Sequence, residues 1–164
     1  MRIFIVRHGI AEDSAAGGDA VRELTEEGRK KMREAASGFV KLNAEADLIC
    51  SSPLVRAVQT AEIIAKELDY SGEVEIMREL SPGANPLEAL EKLRKFRKVE
   101  RVVLAGHEPN CSELAGYLLG DARLEFKKGA ICLIESASCT KGSGTLIWHL
   151  SPQALRLVKG NTKS

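Results

Sequence analysis

The chain has 164 residues, 44% of them hydrophobic and 29% charged, and its 24 Lys and Arg nearly balance its 23 Asp and Glu for a formal net charge of +1. This composition excludes a disordered chain, a coiled coil and a membrane protein, and the length predicts a single domain over 1–164. The balanced charge argues against nucleic-acid binding, which usually needs a basic excess on one face, but it is compatible with a local basic pocket for an anion.

Two further features of the sequence indicate the cellular compartment of the protein. Cys50 and Cys132 lie in apolar runs, which favours free buried thiols over a disulfide framework. The N-terminal apolar run, Ile3 to Val6, is shorter than the roughly 7 residues of a secretory signal core or the roughly 20 of a membrane span. We therefore expect a cytoplasmic protein with no membrane contact.

The first half of the chain predicts buried strands alternating with helices. Arg2 to Val6 is an apolar, β-branched run typical of a strand buried on both faces. Thr25 is predicted to cap a helix that ends near Asn43. Asp47 to Cys50 predicts a second buried strand.

The second strand is followed by a helix and a weaker strand. Ser52 is predicted as the helix cap, with Pro53 at the first helical position. Val74 and Ile76 alternate with glutamates, which indicates a shorter, half-exposed strand. A loop from Ser81 to Asn85 comes next.

The second half of the chain continues the alternation of helices and strands and then ends in a predicted hairpin. Asn85-Pro86 is predicted to begin a helix, Arg101 to Ala105 to form a strand, and Pro109 to open another helix. Ala130 to Glu135 and Thr145 to Leu150 predict the two strands of a hairpin. The tail after Val158 is expected to be frayed.

Strands that alternate with helices at this spacing predict an α/β fold in three layers. We expect a mostly parallel sheet with helices on both faces and a C-terminal antiparallel hairpin.

Polar segments follow three of the predicted buried strands. Arg7-His8-Gly9 follows the first, Ser52-Pro53-Leu54-Val55-Arg56 the second, and Gly106-His107-Glu108 the strand from Arg101. Ligands of open α/β sheets bind outside the carboxyl ends of the strands, so these segments are expected to meet in one site.

Two His and two Arg at such a place suit a phosphoryl group. Arg presents a planar fork of donors to phosphate oxygens, and a neutral imidazole is a competent nucleophile toward phosphorus. We therefore predict that His8 is the nucleophile. Each residue also has an ordinary interpretation, because a lone His at a strand end is usually structural and Arg56 lies off the apolar stripe of its helix.

The motifs, taken in order, resemble one family. Arg7-His8-Gly9 after a first strand, Ser-Pro-x-x-Arg at 52–56 followed by Gln59-Thr60-Ala61, and Gly106-His107 after a late strand resemble the histidine phosphatase superfamily, the phosphoglycerate-mutase-like group. The pieces at 21–28 and 106–110 are similar to its SixA-type phosphohistidine phosphatases.

The resemblance implies roles for matching residues. His8 would accept the phosphoryl group, Arg7, Arg56 and His107 would form the phosphate pocket, and water would hydrolyse the phosphohistidine. It implies no metal and no organic cofactor, and the His and Cys spacing shows no zinc site.

Two further residues are candidates with weaker support. Glu79, after the strand at Val74 to Ile76, is the best-placed acid for protonating a leaving group, although a solvated loop acid is an equal interpretation. Arg22 is a candidate phosphate-binding residue, or else a surface charge beside a helix. A phosphohistidine substrate lessens the need for an acid, because the leaving imidazole has a pKa of about 6.5.

We predict a phosphatase acting on a histidine-phosphorylated protein, such as a phosphotransfer domain of a signalling or sugar-uptake relay. The chain between Arg56 and Gly106 leaves no room for a large lid, which favours an open site. A phosphatase for small phosphate esters and a non-catalytic module that binds phosphorylated partners are the alternatives. The oligomeric state is left open.

Overall fold

The computed structural model describes residues 1–96 and 98–160. Its α/β architecture confirms the predicted fold class, with a mostly parallel sheet between two helical layers. The strands of this part of the chain are β1 (Arg2–Arg7), β2 (Leu48–Ser51), β3 (Glu75–Ile76), β4 (Arg101–Gly106), β5 (Ile131–Ser136) and β6 (Gly144–Leu150). The α-helices are α1 (Glu26–Lys41), α2 (Val55–Glu67), α3 (Pro86–Leu93), α4 (Asn110–Leu118) and α5 (Pro152–Gly160).

The strands form one sheet in the order β3-β2-β4-β1-β5-β6. Strand β4 lies between β1 and β2 and is parallel to both, and β2 is also parallel to β3. Strand β5 is antiparallel to β1, and β6 is antiparallel to β5, so the predicted C-terminal hairpin is confirmed.

The core lies on both faces of the sheet. On β1, Phe4 and Val6 pack toward α1, α2 and α5, while Ile3 and Ile5 pack toward α3 and α4. All four side chains are at most 3% exposed. A strand covered on both faces must be apolar at every position, which explains the continuous run from Ile3 to Val6.

The chain path sets where a site can form. From β1 the chain crosses to β2 on one side, and from β4 it crosses to β5 on the other side of β1. The carboxyl ends of β1 and β4 therefore flank the point where the winding reverses, which is the usual ligand position in open α/β sheets. The three polar segments follow the adjacent strands β2, β4 and β1.

Two local predictions were wrong. Helix α2 begins at Val55 with Leu54 as its N-cap, so Ser52 is not the cap and Pro53 is not the first helical residue. The Ser52 hydroxyl instead accepts the Leu54 N–H and contacts His107. Strand β3 is reduced to two exposed residues at the sheet edge, where a half-exposed strand was predicted.

Helix α5 was not predicted. It packs against α1 so closely that a Cβ on Gly38 would lie 1.8 Å from the Leu155 carbonyl oxygen. The chain was expected to fray after Val158, but the helix continues to Gly160, and 161–164 lie outside the described residues.

The four cysteines are free and buried, as the sequence predicted for Cys50 and Cys132. Burial raises the pKa of both of these thiols to about 12. Within the described residues, no helix combines the length and the apolar character that crossing a membrane requires.

Candidate active site

The structure brings the predicted histidines and Arg56 together at the carboxyl ends of β1, β2 and β4. The rings of His8 and His107 have centroids 5.0 Å apart. His8, Arg56 and His107 are 6%, 5% and 2% exposed, so the three groups meet in a largely desolvated place. Electrostatic interactions are stronger there than in water.

His8 is held as a neutral imidazole with one nitrogen ready to react. Its Nδ1 lies 2.7 Å from the Gly9 carbonyl oxygen, to which it can only donate, so Nε2 keeps its lone pair. Nε2 accepts a hydrogen bond of 3.3 Å from Arg56 Nε. Burial lowers the pKa of His8 to about 4, with Arg56, Arg7 and Lys128 acting in the same direction.

Arg7 is fixed by the segment that leads into β5. Its Nη1 donates to the Phe126 carbonyl oxygen at 2.6 Å. The Gly129 N–H is shared between the carbonyl oxygens of Arg7 and His8, both at 3.0 Å. Arg7 Nε is buried and has no hydrogen-bond partner among the described residues, so one donor of this guanidinium is unused.

Arg56 is bound by a residue that the sequence analysis did not single out. Its Nη1 donates to the Asp19 carbonyl oxygen at 2.8 Å, and its Nη2 donates to Asp19 Oδ2 at 3.0 Å. Arg22 Nη1 lies 3.1 Å from the other oxygen of the same carboxylate. The structure thus links Arg22 to Arg56 through Asp19, whose pKa is lowered chiefly by the hydrogen bond from Arg56.

His107 is oriented by Ser52. Ser52 Oγ accepts the Leu54 N–H at 3.2 Å and lies 2.7 Å from His107 Nε2. We assign the hydroxyl as the donor to Nε2, which places the proton of the neutral ring on Nδ1. Nδ1 is buried without a hydrogen-bond partner in the described chain, so its N–H is available to a phosphoryl oxygen.

We expect Ser52→Ala to lower kcat roughly tenfold, because His107 would lose the bond that selects its tautomer. Ser52→Thr, which keeps the hydroxyl, should recover most of the rate, and the Ala variant should show a shifted pH profile. Ser51→Ala is the matched control, since Ser51 is equally buried but its Oγ donates to the Ser52 carbonyl oxygen. Steady-state kinetics from pH 5 to 8 test this, and equal losses in the two Ala variants would refute the assignment.

Glu79 lies in a short 3-10 helix, Arg78–Leu80, and its carboxylate is paired. Both of its oxygens are 3.3 Å from Lys92 Nζ on α3. A hydrogen bond from its own backbone N–H, together with Lys92, lowers the pKa of Glu79. This pairing favours the ionised carboxylate, whereas a general acid must hold a proton near neutral pH.

The two active-site histidines should make the protein less stable in acid. The pKa of His8 is lowered to about 4 and that of His107 to about 3, in both cases mainly by burial. Between pH 6.5 and these values the unfolded chain binds more protons, so the free energy of unfolding should fall as the pH drops through this range. Denaturant unfolding of the wild type and of His8→Gln at pH 7, 5.5 and 4.5 tests this. The variant should lose less stability, and an identical loss would contradict the assignment.

The arrangement can perform one kind of chemistry well. A neutral imidazole with an unprotonated Nε2 lies beside the Arg56 guanidinium and a second buried imidazole, at the reversal point of a mostly parallel sheet. Such a set can accept a phosphoryl group and stabilise its negative charge. Among the described residues, no three His, Cys, Asp or Glu side chains are grouped to hold a metal ion. The fold and site define a protein for histidine-based phosphoryl transfer.

Comparisons with known proteins agree with this class. The model of the histidine phosphatase superfamily (branch 1) matches residues 3–84. The phosphohistidine phosphatase SixA of Escherichia coli (strain K12) is 31% identical over 166 residues, which cover 97% of this chain and 99% of that protein. The structure of the protein histidine phosphatase SixA complexed with tungstate matches with a TM-score of 0.87 and 30% identity, over 94% of this chain and 99% of that one. The chain belongs to the histidine phosphatase superfamily and is a SixA-like phosphatase.

The fold itself is shared with enzymes for other substrates. A mutant phosphoserine phosphatase from Entamoeba histolytica, in complex with phosphoserine, matches with a TM-score of 0.68 and 19% identity over 94% of this chain and 98% of that one. This likeness concerns the fold alone. The substrate must therefore be argued from the site.

Proposed function

We propose that this protein hydrolyses phosphohistidine on a protein and that His8 carries the phosphoryl group between two steps. The phosphoryl group binds among Arg7, Arg56 and His107, whose N–H groups match its oxygens. His8 Nε2 attacks phosphorus and the P–N bond of the substrate breaks. The substrate imidazole already carries a proton on its other ring nitrogen, so it takes the electron pair of the broken bond and leaves as a neutral ring. His107 Nδ1–H donates to a phosphoryl oxygen as negative charge shifts onto it.

The second step regenerates the enzyme. Water attacks the phosphorus of phospho-His8, the bond between phosphorus and His8 Nε2 breaks, and inorganic phosphate is released. The imidazole takes back its electron pair and is again neutral, which the lowered pKa of His8 favours. In this scheme Arg56 exchanges its bonds to Asp19 for bonds to phosphoryl oxygens.

The observation that carries the choice of substrate is the ionised state of the nearby carboxyl groups. Lys92 holds Glu79 as a carboxylate, and Arg56 and Arg22 hold Asp19 as one. An alcohol leaving from a phosphate ester needs a proton from an acid. A phosphohistidine that is protonated on its second ring nitrogen instead releases neutral imidazole, whose conjugate acid has a pKa of about 6.5. The site is thus better suited to P–N than to P–O cleavage.

Two further points support a protein substrate. The described chain between α2 and β4 is taken up by β3, the 3-10 helix at Arg78–Leu80 and α3, so this part of it holds no long inserted lid. A phosphohistidine on a protein surface can reach such an open site. The similarity to the Escherichia coli phosphohistidine phosphatase, over nearly the whole of both chains, supports the same substrate.

Trapping tests the proposal directly. Incubation with a radiolabelled histidine-phosphorylated phosphotransfer domain and rapid quenching should yield an acid-labile phosphoenzyme, followed by inorganic phosphate. In a parallel panel, kcat/KM should be higher for the phosphoprotein and for phosphoramidates than for phosphoserine or sugar phosphates. A clear preference for sugar phosphates would favour the small-ester alternative, and binding without any release of phosphate would favour the non-catalytic one.

A substitution of Glu79 also distinguishes a phosphohistidine substrate from a phosphate ester. We expect Glu79→Gln to change kcat on phosphohistidine less than about threefold, since no strong acid is needed when imidazole leaves. Kinetics on phosphohistidine and on a phosphate ester measure the difference. A loss of about 100-fold on phosphohistidine would make Glu79 the proton donor and remove the main support for the proposed substrate.

A further inference from the structure

A cavity beside the nucleophile is lined by positive charge. It has a volume of about 310 Å³ and is bordered by the backbone of Gly9, the residue after His8, and by Gly129. Four basic side chains from three parts of the chain line it, and we call this the basic groove: Lys31, Lys127, Lys128 and Arg156. Among the described residues no carboxylate lines the groove, although the whole chain carries a net charge of only +1.

Two of these four charges are not neutralised by the protein. Lys31 pairs with Glu27, and Arg156 lies 2.8 Å from a carboxylate oxygen of Glu34. Lys127 and Lys128 are exposed, and neither has an ion-pair partner within the part of the chain that the structure describes. The groove therefore carries an excess of positive charge that faces solvent.

The unpaired lysines are held in place relative to the nucleophile. They belong to the segment whose Gly129 N–H bonds to the carbonyl oxygens of Arg7 and His8, and whose Phe126 carbonyl binds the Arg7 side chain. A charge recognised at Lys127 or Lys128 therefore lies at a fixed position beside the phosphate pocket.

The N-terminus of helix α5 adds to the positive electrostatic potential of the groove. Its first turn, including Pro152 and Gln153, lines the groove, and Ser151 accepts the Ala154 N–H through its hydroxyl. A helix N-terminus carries a partial positive charge. It thus adds to the positive potential of the lysines in the groove.

We propose that the basic groove binds an acidic segment that flanks the phosphohistidine of the partner protein. The inference rests on the proposed function, because the phosphohistidine must occupy the pocket at His8 while the flanking carboxylates contact the groove. Exposed lysines and acidic side chains form such contacts at the rim of protein interfaces, where they govern partner choice and the rate of association. Recognition by charge suits a site over which the described residues place no large lid.

Two phosphohistidine peptides of equal length test the proposal, one with glutamates and one with glutamines beside the phosphohistidine. For the wild type we expect kcat/KM to be about tenfold higher for the glutamate peptide, as two or three rim charge pairs would give. The preference should disappear at about 1 M salt, where the Debye length falls to about 3 Å. The variant Lys127→Glu/Lys128→Glu should lose or reverse the preference, and Lys127→Gln/Lys128→Gln should reduce it.

Lys41→Glu/Lys98→Glu is the matched control, because both lysines are exposed and lie at the end of the sheet away from the site, Lys41 as the last residue of α1 and Lys98 just before β4. It should keep the wild-type preference. Equal kcat/KM for the two peptides, or a preference that survives the reversal of Lys127 and Lys128, would overturn the groove assignment. If the wild type releases no phosphate from either peptide or from a phosphotransfer domain, the proposed function itself fails, which is a different result.

Discussion

Replacing His8 with alanine should abolish turnover, with kcat reduced by at least about 10⁴-fold and no phosphoenzyme formed. The reason is structural as well as chemical. His8 Nδ1 is committed to the Gly9 carbonyl oxygen, which leaves Nε2 as the free electron pair, and the lowered pKa of His8 keeps that pair unprotonated at neutral pH. Removing the imidazole removes the atom that we propose binds phosphorus in both steps.

His149→Gln is the matched control for this variant. His149 lies on β6 and packs against Phe126, with ring centroids 4.6 Å apart, and it is the remaining histidine of the chain. It should retain most of the activity. Rapid-quench trapping and single-turnover kinetics measure both variants, and a His8→Ala protein that still releases phosphate at a near-normal rate would show that another group is the nucleophile.

Arg56→Lys is the second change with a large expected effect, although it conserves the charge. We expect kcat/KM to fall by about 10²–10³-fold. Arg56 binds His8 through Nε while Nη1 and Nη2 point to Asp19, so one planar group contacts the nucleophile and an anion at the same time. A lysine ammonium is a single point charge and cannot reproduce this fork.

The control for Arg56 is Arg33→Lys, an exposed position on α1 that should stay near wild-type activity. The equilibrium affinity for tungstate or inorganic phosphate, measured by calorimetry, should weaken in Arg56→Lys in parallel with kcat/KM. A variant that keeps full activity would mean that charge alone is needed at this position. The fork would then have no part in binding the phosphoryl group.

The sequence by itself determined the order of the six strands and of helices α1 to α4, and the place of the candidate site. Continuous apolar runs such as Ile3 to Val6 require strands covered on both faces, and the polar residues that follow three such strands must share one end of a parallel sheet. His8, Arg56 and His107 were predictable for that reason, although they are up to 99 positions apart in the chain. Their family motifs made the prediction specific.

Only the tertiary structure decided which partner each side chain takes. Ser52 has the local pattern of a helix cap, yet its hydroxyl contacts His107, which is 55 residues away and adjacent only because β2 and β4 are neighbours in the sheet. Asp19 begins a short 3-10 helix, Asp19–Val21, in a segment whose sequence shows no periodicity, and its contact with Arg56 depends on how that segment folds back.

Helix α5 is a whole element that could not be predicted from the sequence, for the same reason. Its stability depends on packing against α1, where Gly38 lets the Leu155 backbone approach closely, and a short helical segment has little preference of its own in water. The local pattern of apolar and polar residues predicts which positions of a strand or helix are buried. Contacts between distant side chains depend on which strands and helices become neighbours, and that is decided when the chain folds.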